Sequence, residues 1–116
     1  MSYKVTKASE ATFYEAPGHY DMRPTRLHNP ADVNDGKIIM GLSHFLPGGG
    51  AKYNAIPVEF IYYIVSGEMT VTIDGNTFVL GAGDSVHAGP NTGKEIVNNG
   101  KVTATMLVTL LPVEAK

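Results

Sequence analysis

The stretch PGGGAKYNAIPVEFIYYIVSGEM, residues 47–69, decides how the rest of the chain is read. It opens on a Pro-Gly pair, closes on Gly67-Glu68, and carries an apolar run between them. In an extended chain successive side chains alternate between faces, so Phe60, Tyr62 and Ile64 share one side and Ile61, Tyr63 and Val65 the other. A strand apolar on both faces is expected to be covered on both, by a second layer or a second subunit. Glycines 48, 49 and 50 lack the lysine-and-hydroxyl pattern and the helix of a phosphate loop, so a turn between strands is predicted there.

The neighbouring segments carry the same β signature. In MTVTIDGNTFVL, residues 69–80, two alternating runs flank Asp74-Gly75, a pair suited to the positive φ angles of a tight hairpin. KEIVNNGKVTATMLVTLL, residues 94–111, reads as a second hairpin turning at Asn99-Gly100. Its last strand puts Val102, Ala104, Met106, Val108 and Leu110 on one face; the other mixes threonines with Leu107 and Leu111. KIIMGLSHFLPG, residues 37–48, is a further strand. The 13 glycines and 7 prolines interrupt every helical candidate longer than a turn or two. The expectation is an all-β protein, a closed antiparallel barrel or jelly roll. Residues 1–36 differ, holding both arginines, Arg23 and Arg26, with His19 and His28. They are expected to form an arm with short strands, packed across the barrel or onto a neighbouring subunit.

Two motif frames then stand out. Residues 47–68 run from Gly48 to Gly67 across the apolar strand, and GAGDSVHAGPNTGKEIVN, residues 81–98, runs from Gly83-Asp84 to Asn98. With the Asp74-Gly75 hairpin between them, the chain resembles the cupin family of small β-barrels over roughly residues 37–111. The resemblance implies one cupin β-barrel at 37–116 with the arm at 1–36, a single domain overall. In that family the first motif holds two histidines and a glutamate, and the second another histidine; together they bind a metal. Carried over position by position, the histidines become Asn54 and Ile56, the glutamate Phe60 and the last histidine Lys94, while Gly89 replaces a proline. Ile and Phe have no donor atoms and a protonated lysine repels a cation, so no metal and no cofactor is expected at that place. A relocated site would need His44, His87 and Glu59, and moving Glu59 inward by a one-residue slip would turn Phe60, Tyr62 and Ile64 outward.

The barrel interior expected from this resemblance includes Asn54, Ile56, Phe60, Tyr62 and Lys94. An apolar pocket with a few placed polar groups is the general form of a small-molecule site. Lys94 is a candidate base or Schiff-base nucleophile if burial lowers its pKa; otherwise it is an anchor for an anionic ligand or lies with its head in water. His44 and His87 are candidate acid–base groups or hydrogen-bonded barrel residues. Tyr62 joins them as a candidate catalytic hydroxyl, and Tyr53 and Arg23 join Asn54, Ile56 and Phe60 as candidate ligand contacts, Arg23 and Arg26 as a clamp if the arm crosses the mouth.

Bulk properties narrow the partners. The formal charge is −2 and only two of nine basic residues are arginines, which disfavours nucleic acid. No apolar run approaches the roughly 20 residues that span a bilayer, so no membrane partner is expected. The absence of cysteine excludes disulfides and thiolate chemistry and is compatible with a cytoplasmic location, the default expectation. A homodimer holding a small-molecule ligand in each barrel is expected. Three functions fit: a metal-independent isomerase, epimerase or lyase working by proton transfer; a non-catalytic ligand-binding or accessory protein; and a metal-dependent enzyme with relocated ligands.

Overall fold

The computed structural model describes residues 3–112. Nine strands carry the fold: β1 (Thr12–Phe13), β2 (His19–Arg26), β3 (Ile39–Asn54), β4 (Val58–Ser66), β5 (Glu68–Ile73), β6 (Asn76–Gly81), β7 (Ser85–Ala88), β8 (Lys94–Val97) and β9 (Ala104–Pro112). The only helical pieces among the described residues are single 3₁₀ turns at Ala8–Glu10, Pro30–Asp32 and Asn34–Gly36. Pairing is antiparallel throughout, in the order β6-β5-β8-β3-β9-β4-β7, with β2 also on β3 and β1 on β2. The result is a nearly closed all-β barrel. No helix among the described residues is long and apolar enough to cross a membrane.

The long strand β3 organises the barrel. Its first half, Ile39 to Phe45, pairs with β9, and its last residues, Gly50 to Asn54, pair with β8. It therefore belongs to two walls, and Pro47–Gly50 lies inside the strand where it passes from one to the other. The turn expected at these glycines is not there. They are needed for close approach: a Cβ at Gly49 would run into the Asp21 carbonyl oxygen and one at Gly50 into that of Ile96.

Alternation sets the core. Phe60, Tyr62 and Ile64 of β4 are buried, whereas Ile61, Tyr63 and Val65 are 40%, 42% and 48% exposed on the outside. The inward row continues with Phe45 on β3, Met69 and Val71 on β5, Ile96 on β8, and Ala104 and Met106 on β9. Burying a side chain of this size contributes roughly 2 kcal/mol, so this inward row holds the barrel together, with Ile64, Met69 and Val71 forming its packed end. The Asp74-Gly75 turn joins β5 to β6 with φ of 49° and 80°, as the sequence predicts.

The second expected hairpin does not form. β8 pairs with β3 and β5, and β9 pairs with β3 and β4, so Asn99-Gly100 carries the chain between walls. Asn98 holds that crossing. Fully buried, it donates from Nδ2 to the carbonyls of Phe45 (3.0 Å) and Val102 (2.9 Å) and accepts at Oδ1 from the Gly100 amide (2.9 Å). Val102, expected on the inner face, precedes β9 and is 65% exposed.

Candidate functional site

The register of β3 against β8 puts Asn54 directly opposite Lys94, and both line a cavity of about 240 Å³. Around them stand Phe60, Tyr62, Val108 and Leu110, with Ile56 and Val58 near the entrance to β4. The arm closes another side, contributing Tyr14 to Pro17, His19 and Arg26. Ile64, Met69 and Val71, at the packed end, take no part. The cavity is thus apolar, with a few polar groups, the usual composition of a small-molecule site.

Lys94 is half-buried. Its Nζ donates to Asn54 Oδ1 at 2.7 Å and lies 4.8 Å from the centre of the Phe60 ring. Burial disfavours the ammonium and pushes the Lys94 pKa below the ordinary lysine value. Because an ammonium only donates, Asn54 must present its oxygen to it, which leaves the amide NH₂ as the donor for a ligand oxygen. Tyr62 stacks obliquely on Phe60 with ring centroids 4.6 Å apart. Burial, and secondarily Tyr14, push its phenol well above the ordinary tyrosine value, so it stays protonated and can donate.

Of the expected site residues, Lys94, Tyr62, Asn54, Ile56 and Phe60 come together here. Four others lie elsewhere. On β3 the inward residues are Gly41, Ser43 and Phe45, so His44 belongs to the outer row, where Nδ1 meets Thr105 Oγ1 at 3.1 Å. His87 pairs across from outward Ile61, and its Nε2 meets Glu59 Oε2 at 2.6 Å on the surface. Tyr53 is 67% exposed and its ring covers Gly93. Arg23 pairs across from His44 on the outer row and lies 5.5 Å from the centre of the Phe13 ring. Of the two arginines it is Arg26 that borders the cavity, opposite inward Gly41. A clamp built from both does not exist.

The positions that hold a metal in the resembled family do not fit one. Ile56 and Phe60 have no donor atom, and Asn54 and Lys94 are engaged with each other at 2.7 Å, which leaves no set of imidazoles and carboxylates to hold an ion. The relocated site also fails to assemble. Among the described residues no group of three His, Asp or Glu side chains is placed to hold a metal ion.

Comparison with known proteins agrees with this fold. A family model described as the cupin domain matches residues 41–110. A β-D-galactosidase of Mycobacterium tuberculosis is 36% identical over 107 residues, covering 92% of either chain. Among solved structures, a protein of Thermotoga maritima described as a predicted oxalate decarboxylase superposes with a TM-score of 0.83 at 19% identity, over 95% of this chain and 100% of that one. The polyketide cyclase RemF of Streptomyces resistomycificus gives 0.80 at 17% identity, over 99% and 88%. At such identities the two structures speak for the fold alone.

Proposed function

This chain belongs to the cupin family, and from that premise we propose that it works on a small hydroxylated carbonyl compound, of monosaccharide size, without a metal. The observation that carries the reading is Lys94. It sits in the cavity with its pKa lowered by burial, held by an amide and an aromatic face, with no carboxylate partner among the described residues. The cavity volume suits one sugar, whose C–H faces pack on Phe60 and Tyr62 and whose hydroxyls meet the polar groups.

Proton transfer follows from these groups. Neutral Lys94 accepts the proton on the carbon next to the carbonyl. The developing enolate oxygen takes hydrogen bonds from the Tyr62 hydroxyl and the Asn54 NH₂. Return of the proton to the former carbonyl carbon, with a hydroxyl proton passing between the two oxygens, gives isomerisation; its return to the same carbon from the opposite face gives epimerisation; loss of a β-substituent with that proton instead gives elimination. His44 and His87 have no part in this scheme.

Incubation of the protein with aldoses, ketoses and sugar acids in D₂O, followed by NMR, tests it. Deuterium should enter the carbon beside the carbonyl, and Lys94→Met should abolish the exchange. Exchange at the same rate in the variant, or none with any sugar, overturns the proposal. Tight binding without exchange would instead place the chain among the non-catalytic ligand-binding proteins.

A second reading, hydrolysis of a β-D-galactoside, is favoured by the 36% identity to the M. tuberculosis enzyme. Glycoside hydrolysis ordinarily uses a carboxylate pair. The carboxylates bordering this cavity are Glu15 and Glu95, both exposed. Release of nitrophenol from a β-galactoside, lost in Glu15→Gln, would support this reading over the first.

The proposal also includes a second copy of the chain. The exposed outer row of Ile61, Tyr63 and Val65 on β4, with Leu46 on β3, is an apolar sheet face suited to packing against its own equivalent.

A further inference from the structure

Arg26 is the one guanidinium that borders the cavity, and no described carboxylate pairs with it. It is half-buried at the end of β2, and its guanidinium carbon lies 4.3 Å from the centre of the Tyr14 ring, which covers one face of the group. Stacking of this kind fixes the plane of a guanidinium and leaves its edge donors unspent. A surface arginine finds its partner in water. One lining a largely apolar cavity, with its donors unclaimed, is arranged for an anion brought by a ligand.

The remaining charges point the same way. The ionisable groups lining the cavity are Tyr14, Glu15, His19, Arg26, Lys52, Tyr62, Lys94 and Glu95. Glu15 is exposed on the arm, and Glu95 falls on the outer row of β8, between inward Lys94 and Ile96. Lys52 and His19 are exposed at the cavity edge, so the half-buried cationic side chains lining it are Arg26 on β2 and Lys94 on β8, contributed by different walls of the barrel.

We infer that the ligand is an anionic sugar, carrying one carboxylate or phosphate that Arg26 binds while Lys94 faces the reacting carbon. This rests on the reading of the cavity as a sugar site and names its substrate class. The fork of a guanidinium matches the two oxygens of a carboxylate, and the cavity of about 240 Å³ has room for a sugar acid. A carboxylate is the better match of the two anions.

Calorimetric titration at low salt with D-glucose and D-galactose, their uronates, the uronate methyl esters and the 6-phosphates tests this. The expected result is that a uronate binds roughly tenfold more tightly than its neutral sugar and methyl ester, the margin of one charge-assisted hydrogen bond pair. That margin, taken as the ratio of uronate to neutral-sugar affinity within each protein, should vanish in Arg26→Gln, survive in part in Arg26→Lys and shrink with added salt. A 6-phosphate bound more tightly than the uronate, with the same dependence on Arg26, would identify phosphate as the anion. Equal affinity for acid, ester and neutral sugar would overturn the inference and leave the sugar reading standing, as would a preference that survives Arg26→Gln. Failure of every sugar to bind overturns both.

Discussion

Taking an ammonium group partly out of water costs solvation, and Lys94 bears that cost with an amide and a ring face as its compensation. Its folded pKa lies below the unfolded one, which fixes the sign of the pH dependence. At pH below the folded value both states carry the proton and the penalty is full. Between the folded value and the ordinary lysine value the unfolded chain binds more protons, so stability rises with pH across that window. Lys94→Met should flatten this slope and melt no lower than wild type at neutral pH, measured by circular dichroism. Activity should rise with pH through the same lowered value, because the neutral amine is the base. Tyr62→Phe should keep the fold and the ligand affinity but slow the reaction roughly a hundredfold, the usual loss for one donor to a developing oxyanion. Phe60 and Tyr62 were legible because strand parity follows from a strongly apolar run, and Asn54 and Lys94 through the motif positions of the resembled family. Arg26 was not separable from Arg23, since β2, HYDMRPTR, has no hydrophobic alternation to set its parity.

What fixes that parity is a feature of the whole strand. The register of β2 on β3 slips between Tyr20 and Met22, around Asp21, whose φ is 49°. The bulge turns Met22, Pro24 and Arg26 inward and Arg23 outward. Only the pairing partner reveals it. The crossing from β8 to β9 is a similar case. Asn99-Gly100 carries a turn signature, and such a signature reports a local reversal without saying which strands will pair across it. The decision is made by Asn98, whose amide bonds to both flanking segments. Asn98→Ala would strand two carbonyls and an amide inside the barrel. It should cost about 2–4 kcal/mol and lower the thermal midpoint by roughly 10 °C or more. Asp74-Gly75, by contrast, was read correctly because β6 lies at the end of the strand order and pairs with β5, its neighbour in the chain.

Over the whole molecule the fold was legible from two spaced glycine frames and the strand between them, since each rests on local chemistry. The pairing of β2 with β3 was not, because HYDMRPTR carries no hydrophobic alternation to mark it as a strand of the barrel wall. Association belongs to this scale as well. If two copies pack through the outer row, Ile61→Glu with Tyr63→Lys should leave melting nearly unchanged, these side chains being exposed, and should halve the mass seen by light scattering. A single unaltered mass for both proteins would remove that interface. Tyr14, Glu15, His19 and Arg26 all stand ahead of residue 41, where the match to the general family begins. Part of the wall of the binding chamber is thus supplied from ahead of the family match, so substitutions at Tyr14, Glu15 and His19 are a route to retuning ligand choice while the strands of the barrel stay as they are.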